Sequence, residues 1–184
     1  MMIDFTAFSH GQVESKLWLC ERLEPIIPSN SRIAILGGWY GVLAFLLLSR
    51  RAVDIKHIRS FDIDPKVESI ADRINNAWVC NEWQFKAYTQ DANQVDFSQF
   101  DVIINTSAEH IIDKQWFDKI TNQLVVIQST DQIHDDEDDH DYCFSVDQLA
   151  ERYPLTNLYR SEKKFKYPDK EFSRFMLIGY KTGS

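Results

Sequence analysis

A chain of 184 residues, 44% of them apolar and including 12 Phe, 7 Tyr and 5 Trp, is most simply one domain with enough bulk for a full core. A net charge of −8 sets it against phosphate backbones unless a local basic patch exists, and no apolar run approaches the roughly 20 residues that span a bilayer. Cys20, Cys80 and Cys143 are odd in number and widely spaced, which fits neither a disulfide framework nor a zinc site and points to a reducing, cytoplasmic setting.

The first residues, MMIDFTAFSHGQ, have no basic stretch followed by an apolar one and do not read as a secretion signal. Gly11 to Glu24 carries Val13, Leu17 and Cys20 on one stripe with Leu19 and Leu23 beside it, the pattern of an amphipathic helix that Pro25 and Pro28 end. Residues 1–30 are therefore expected to form a helical cap on a single domain spanning 1–184. Ile33 to Leu36 is a short strand, Gly37, Gly38 and Gly41 break it, and Val42 to Arg50 continues as a helix. Ile55 to Asp62 is a second strand, after which Pro65 is placed to start a helix with Val67, Ile70, Ala71, Ile74 and Trp78 on one side.

Trp83 to Tyr88 alternates as a third strand, Asp91-Ala92-Asn93 is a loop, and Phe100 to Asn105 is a buried fourth strand. Asp113 to Ile120 reads as a short helix, Leu124 to Ser129 as a fifth, buried strand, Asp135 to Asp141 as an acidic loop and Val146 to Tyr153 as a helix. Asn157 to Lys166 and Phe172 to Lys181 are two long alternating strands, an antiparallel pair. This order predicts an α/β fold of three layers (αβα), with helices on both faces of a mainly parallel sheet that ends in an antiparallel C-terminal edge hairpin. The basic stretch Arg160 to Lys170 reads as a solvated strand and turn rather than a nucleic-acid patch.

The glycine turn leaves backbone N–H groups at a helix N-terminus and removes Cβ atoms where a ligand must come close. Asp62 lies beyond it at about the distance of a ribose-holding acid in nucleotide-binding folds. A dinucleotide fingerprint fails, because from Gly37 the second and third glycine positions hold Trp39 and Val42, and no lysine completes a P-loop. Neither phosphate cradle exists.

Four stretches stand in a recognisable order: Ile35-Leu36-Gly37-Gly38-Trp39-Tyr40-Gly41, Phe61-Asp62-Ile63-Asp64-Pro65, Gln90-Asp91-Ala92, and the strand Phe100 to Asn105. Together they resemble the motifs of class I S-adenosylmethionine-dependent methyltransferases of the small stand-alone type. The resemblance implies a Rossmann-like fold, S-adenosyl-L-methionine as cofactor and S-adenosyl-L-homocysteine as product. It implies that Gly37, Gly38, Trp39, Tyr40 and Gly41 wrap the cofactor and that Asp62, with Ile63 beside it and Asp64 in reserve, takes the ribose hydroxyls. Asp91 and Ala92 would meet adenine, and Asn105 would face the methyl group. Two departures stand out: Ile35 replaces an acid that orients the methionine end, and Trp39 replaces a glycine.

A cofactor without phosphate needs no anion cradle, and its sulfonium suits aromatic faces such as Trp39, Tyr40 or Trp18. Methyl transfer to an amine or hydroxyl needs alignment and removal of a proton. The candidates follow the fourth strand: His110 or Glu109 as base, with Asn105. Substrate contacts are expected from His10 and Gln12, with Lys16 or Trp18, on the first helix, from Gln128 and Asp131 after the fifth strand, and from His140. The acidic loop lacks the glycine pivot of a calcium loop, so it reads as a solvated lid and no metal is expected. Methylases of base amino groups carry Asn/Asp-Pro-Pro-aromatic after the fourth strand, where this chain has Asn105-Thr106-Ser107-Ala108. With the acidic charge, this favours a small-molecule substrate over nucleic acid. A tRNA or DNA methylase, a module that binds the cofactor without turnover and an NAD enzyme are the alternatives. No signature fixes an oligomeric state.

Overall fold

The computed structural model describes residues 3–50, 52–133, 139–168 and 170–182. In chain order its helices and strands are α1 (His10–Leu23), β1 (Ser31–Leu36), α2 (Val42–Leu48), β2 (Ile55–Asp62), α3 (Glu68–Ile74), α4 (Asn76–Cys80), β3 (Phe85–Thr89), β4 (Val102–Asn105), α5 (Gln115–Asp118), β5 (Leu124–Thr130), α6 (Val146–Arg152), β6 (Leu155–Lys166) and β7 (Glu171–Lys181). The strands form one seven-stranded sheet in the order β3-β2-β1-β4-β5-β7-β6. Every neighbouring pair is parallel except the two that involve β7. The expected hairpin is present, with its reversed strand one position in from the edge, between β5 and β6.

The apolar runs decide the layers. β4 and β5 are buried along their whole length, as parallel strands covered on both faces must be. Within β1, Ile33 and Ile35 face one side and pack with Trp18, Leu19 and Leu23 of α1 and Leu43, Ala44 and Leu47 of α2. Ala34 and Leu36 face the other side, toward Trp116 and Phe117 of α5 and Leu149 and Tyr153 near α6. Burial of two such faces supplies the main driving force for the fold.

Some boundaries differ from the sequence expectation. The helix after Pro65 does not run through Trp78 but breaks at Asn75, whose backbone leaves the helical region at φ −98° and ψ 22°. Asn75 is wholly buried, and its Nδ2 donates to the carbonyls of Gly41 (3.1 Å) and Ala71 (3.0 Å), tying this kink to the start of α2. Trp83 belongs to a turn rather than to the third strand: Glu82 and Trp83 have φ of 50° and 58°, and the Arg59 guanidinium donates to the Trp83 carbonyl at 2.7 Å. The helix expected over Asp113 to Ile120 shortens to α5, and the loop at Asp91 closes as a 3₁₀ turn, Ala92–Gln94. Of the acidic loop, positions 135–138 lie outside the described residues.

Asn75→Ala removes two donated hydrogen bonds at a site with no access to water. Urea denaturation should show a loss of about 1–3 kcal/mol in unfolding free energy.

Candidate functional site

Register brings the ends of three strands to one level. Leu36 of β1 pairs with Phe61 of β2 and with Asn105 of β4, so the turns after these strands leave the sheet side by side. The chain crosses from β1 to opposite sides of the sheet here, and in open α/β sheets ligands bind at the carboxyl ends of strands at such a point.

The turn after β1 is tight. Gly37 and Gly41 have φ of 60° and 72°, and a Cβ on Gly37 would lie 3.1 Å from the Ser107 Cβ. Trp39 also has positive φ, 46°, which costs a non-glycine residue about 1–2 kcal/mol. What holds it there is Asp62, whose Oδ2 accepts from the Trp39 N–H at 2.9 Å while its Oδ1 accepts from the Asp64 N–H at 3.1 Å. A carboxylate has about four acceptor positions, so Asp62 can also serve a ligand. Beside it Ile63 is 74% exposed. Asp91 accepts from the Asn93 N–H at 2.8 Å and shapes the turn after β3, in which Ala92 is buried. Tyr40 packs with Ala7, Val67 and Ile70, and its hydroxyl accepts from the Asp4 N–H at 3.2 Å, so the residues before α1 lie over the turn.

After β4, the Asn105 Oδ1 accepts from the Ser107 N–H at 2.9 Å, whereas its Nδ2 is buried without a partner among the described residues. The Ser107 hydroxyl donates to the Gly37 carbonyl at 3.3 Å, joining the two turns. The chain then folds Glu109 inward. Its side chain is 3% exposed, 3.7 Å from Arg174 Nη1 and 3.9 Å from Nε2 of His110, which is itself 43% exposed. The His110 and His140 rings meet edge to face at 4.4 Å, and His140 stacks on Tyr142 at 5.0 Å. Arg152 of α6 fixes that segment by donating to the carbonyls of Asp141 and Tyr142 and pairing with the Asp141 carboxylate at 2.8 Å.

Helix α1 closes the end of the sheet beyond β5. Gln128 is buried and makes long contacts with Ser15, 3.4 Å to its carbonyl and 3.5 Å from its hydroxyl. Glu14 anchors the helix to the hairpin, accepting from the Tyr167 hydroxyl at 3.0 Å and pairing with Lys163 at 3.1 Å. On the inner side the Lys16 Nζ donates to Gln12 Oε1 at 2.7 Å. Burial first, and the Arg174 charge second, push the Lys16 amine from 10.5 down to about 7, with Glu109 opposing them.

Gly37 to Gly41, Asp62, Ile63, Asn105, Glu109 and His110 thus stand around the ends of β1, β2 and β4, with Asp91 and Ala92 after β3. Gln12 and Gln128 stand where α1 crosses β5 and β7. Other residues singled out in the sequence lie elsewhere. His10 is 78% exposed, beside Glu14 and the Tyr167 ring, and Trp18 is buried under the sheet against Tyr159. The Asp131 carboxylate accepts from the Ser173 N–H at 2.6 Å and so extends the β5–β7 pairing. Arg174 was not singled out. Its signal is a charge on the inward side of an alternating strand, level with Phe172, Met176 and Ile178.

A depression of about 500 Å³ lies at the opposite, amino-terminal ends of the strands, but its Arg32 and Asp101 satisfy each other at 2.8 and 3.0 Å. The basic stretch is engaged as well: Arg160 pairs with Asp147, Lys163 with Glu14 and Lys166 with Glu171. Among the described residues no cluster of His, Cys, Asp or Glu could hold a metal ion, and no helix is long and apolar enough to cross a membrane.

No family model matches the chain, and no curated protein sequence does. Solved structures are similar in fold. Magnesium protoporphyrin IX methyltransferase from Synechocystis PCC 6803 with bound SAM is 11% identical, with a TM-score of 0.67 over 97% of this chain and 86% of that one. A putative sarcosine dimethylglycine methyltransferase from Galdieria sulphuraria is 14% identical, with a TM-score of 0.64 over 92% and 86%. The N-methyltransferase NodS from Bradyrhizobium japonicum WM9, in complex with S-adenosyl-L-homocysteine, is 13% identical, with a TM-score of 0.62 over 93% and 88%. The architecture is therefore the Rossmann-like fold of class I methyltransferases.

Lys16→Met should raise the melting temperature of the ligand-free protein near and below pH 7, because it removes a charge the folded state disfavours. A lowered amine pKa means the unfolded chain binds more protons between about 7 and 10.5, so the gain should shrink as pH rises through that window. Thermal denaturation at several pH values measures it.

Proposed function

We propose that the protein is an S-adenosylmethionine-dependent methyltransferase acting on a small polar molecule with an amine or hydroxyl group. The observation that carries this reading is the meeting, at one level of the sheet, of the Gly37 turn, the Asp62 carboxylate and the Asn105 amide, which has no partner among the described residues. The fold is shared with structures holding SAM or S-adenosyl-L-homocysteine.

The residues suit that cofactor. Trp39 stands where a pyrophosphate-binding turn has a glycine, and a nucleoside without phosphate does not need that glycine. Asp62 keeps acceptor positions for a ribose diol, Ile63 offers exposed apolar surface to a purine, and the Asp91 carboxylate stands after β3 for an amino group. Asn105 Nδ2 is a buried donor in want of an acceptor. Ile35 is packed in the core, so no acid serves the methionine ammonium from that position.

When bound, the cofactor supplies a methyl group on a positively charged sulfur. The chain's part is to hold the acceptor in line, exclude water and take up a proton. Helix α1 and the residues before it cover the strand ends and limit water. His110 takes the proton, and the Glu109 carboxylate 3.9 Å away, fixed by Arg174, stabilises the positive ring that results.

Titration calorimetry with S-adenosyl-L-homocysteine should show micromolar binding, abolished in Asp62→Ala. Trp39→Gly tests the turn separately, since it relieves the left-handed strain and keeps the N–H that Asp62 holds. That variant should be at least as stable as the wild type and still bind. Wild-type protein that gives no heat with either form of the cofactor overturns the assignment.

A further inference from the structure

Three charges are gathered where α1 crosses the ends of β5 and β7: Arg174, Glu109 and Lys16. The Arg174 side chain is 6% exposed, and its one ion pair among the described residues is the single 3.7 Å contact with Glu109, not the two parallel bonds a guanidinium makes with a well-set carboxylate. Arg174 Nε and Glu109 Oε2 are both buried and have no hydrogen-bond partner among the described residues. Lys16 adds a second cation whose hydrogen bond goes to the neutral Gln12. Buried charges are ordinarily fully hydrogen-bonded, and among the described residues the Arg174–Glu109 pair is not.

The geometry points to a binding subsite in which Arg174 and Lys16 hold a carboxylate of the methyl acceptor. This rests on the methyltransferase reading above, and it narrows the acceptor to an amino, hydroxy or phenolic acid.

Position assigns the anion to the acceptor. Arg174 pairs with Thr130 at the carboxyl end of β5, and β7 stands three strands from β1 and two from β4. At about 4.8 Å per strand, that is roughly 14 Å from the glycine turn and roughly 10 Å from Asn105. Charge assigns the class. With Lys16 protonated, two cations and one anion leave a single positive charge, which one carboxylate neutralises and a phosphate dianion would overshoot. The open edge of a guanidinium also matches a carboxylate's two oxygens. Glu109 then separates the anion from His110, the proposed proton acceptor, which it also approaches. Burial and Arg174 already weaken the Lys16 ammonium, and an arriving anion would restore its proton.

The test is a ¹³C NMR titration of the Lys16 ε-carbon in the wild-type protein, with acetate and benzoate as probes and acetamide and benzamide as controls. The carboxylates should raise the pH at which Lys16 titrates by about one pH unit or more. The amides should leave it where it was, and Arg174→Gln should abolish the response. Lys16 titrating alike with acids and amides overturns the proposal. This readout needs no cofactor, so it stands or falls apart from S-adenosyl-L-homocysteine binding. Because Arg174 is buried, Arg174→Lys accompanies it, keeping the charge but not the planar fork. In methyl-transfer assays over matched acids and amides, acids should be preferred and Arg174→Gln should raise their KM about a hundredfold. A last arm compares S-adenosyl-L-homocysteine with 5′-methylthioadenosine, which lacks the amino-acid end. If Arg174→Gln weakens the first and spares the second, the anion held is the cofactor's own and the proposal is overturned.

Discussion

The hydrogen bond from the Trp39 N–H to the Asp62 carboxylate is the constraint on which the site depends. Parallel strands share no hairpin, so nothing local sets one crossover turn against the next. Asp62 does so here, binding the turn after β1 with one oxygen and its own turn with the other. The Gly38 N–H adds a bond to the Phe61 carbonyl at 3.2 Å, and Ser107 links the turn after β4 to Gly37. Three strand ends are thereby held as one surface. A bulky residue in left-handed conformation is tolerated at Trp39 because its surroundings over-determine it, and such strain collects at functional sites.

The same end of the sheet divides into two electrical halves. Around the glycine turn are an acid, exposed apolar surface and aromatic rings, with no phosphate cradle. Beyond β5, where α1 crosses, are the buried Arg174 and Glu109 with the half-buried Lys16. Helix α1 joins the halves: residues before it cover Tyr40, its Gln12 and Lys16 enter the second half, and Glu14 ties it to the hairpin.

Much of this was legible in the sequence, for physical reasons. A short β-branched apolar run such as Val102 to Ile104 reads as a strand covered on both faces, and the glycines after β1 mark a turn where little else fits. Asp62 was legible because it ends a strand at the right distance from that turn. The break at Asn75 was not, since the apolar stripe continues through Trp78 and only a tertiary bond to Gly41 stops the helix. His10, Gln12, Lys16 and Trp18 were read as alternatives because the sequence does not show which face of α1 meets the strand ends. Lys16 lies one helical turn beyond Gln12 and shares its face, whereas His10 does not. Arg174 escaped because a charge within an alternating strand is ordinarily assigned to the wet side.

The placing of β7 inside the sheet has a consequence for how the protein is made. Its residues leave the ribosome after every other described strand, yet they occupy a slot between β5 and β6. Until they arrive, the nascent chain presents β5 as a bare edge open to pairing with other chains. Since Arg174 travels on that late strand, the acceptor half of the pocket can assemble only as the last seam of the sheet closes, so the capacity to grip an acid should appear together with protection from aggregation.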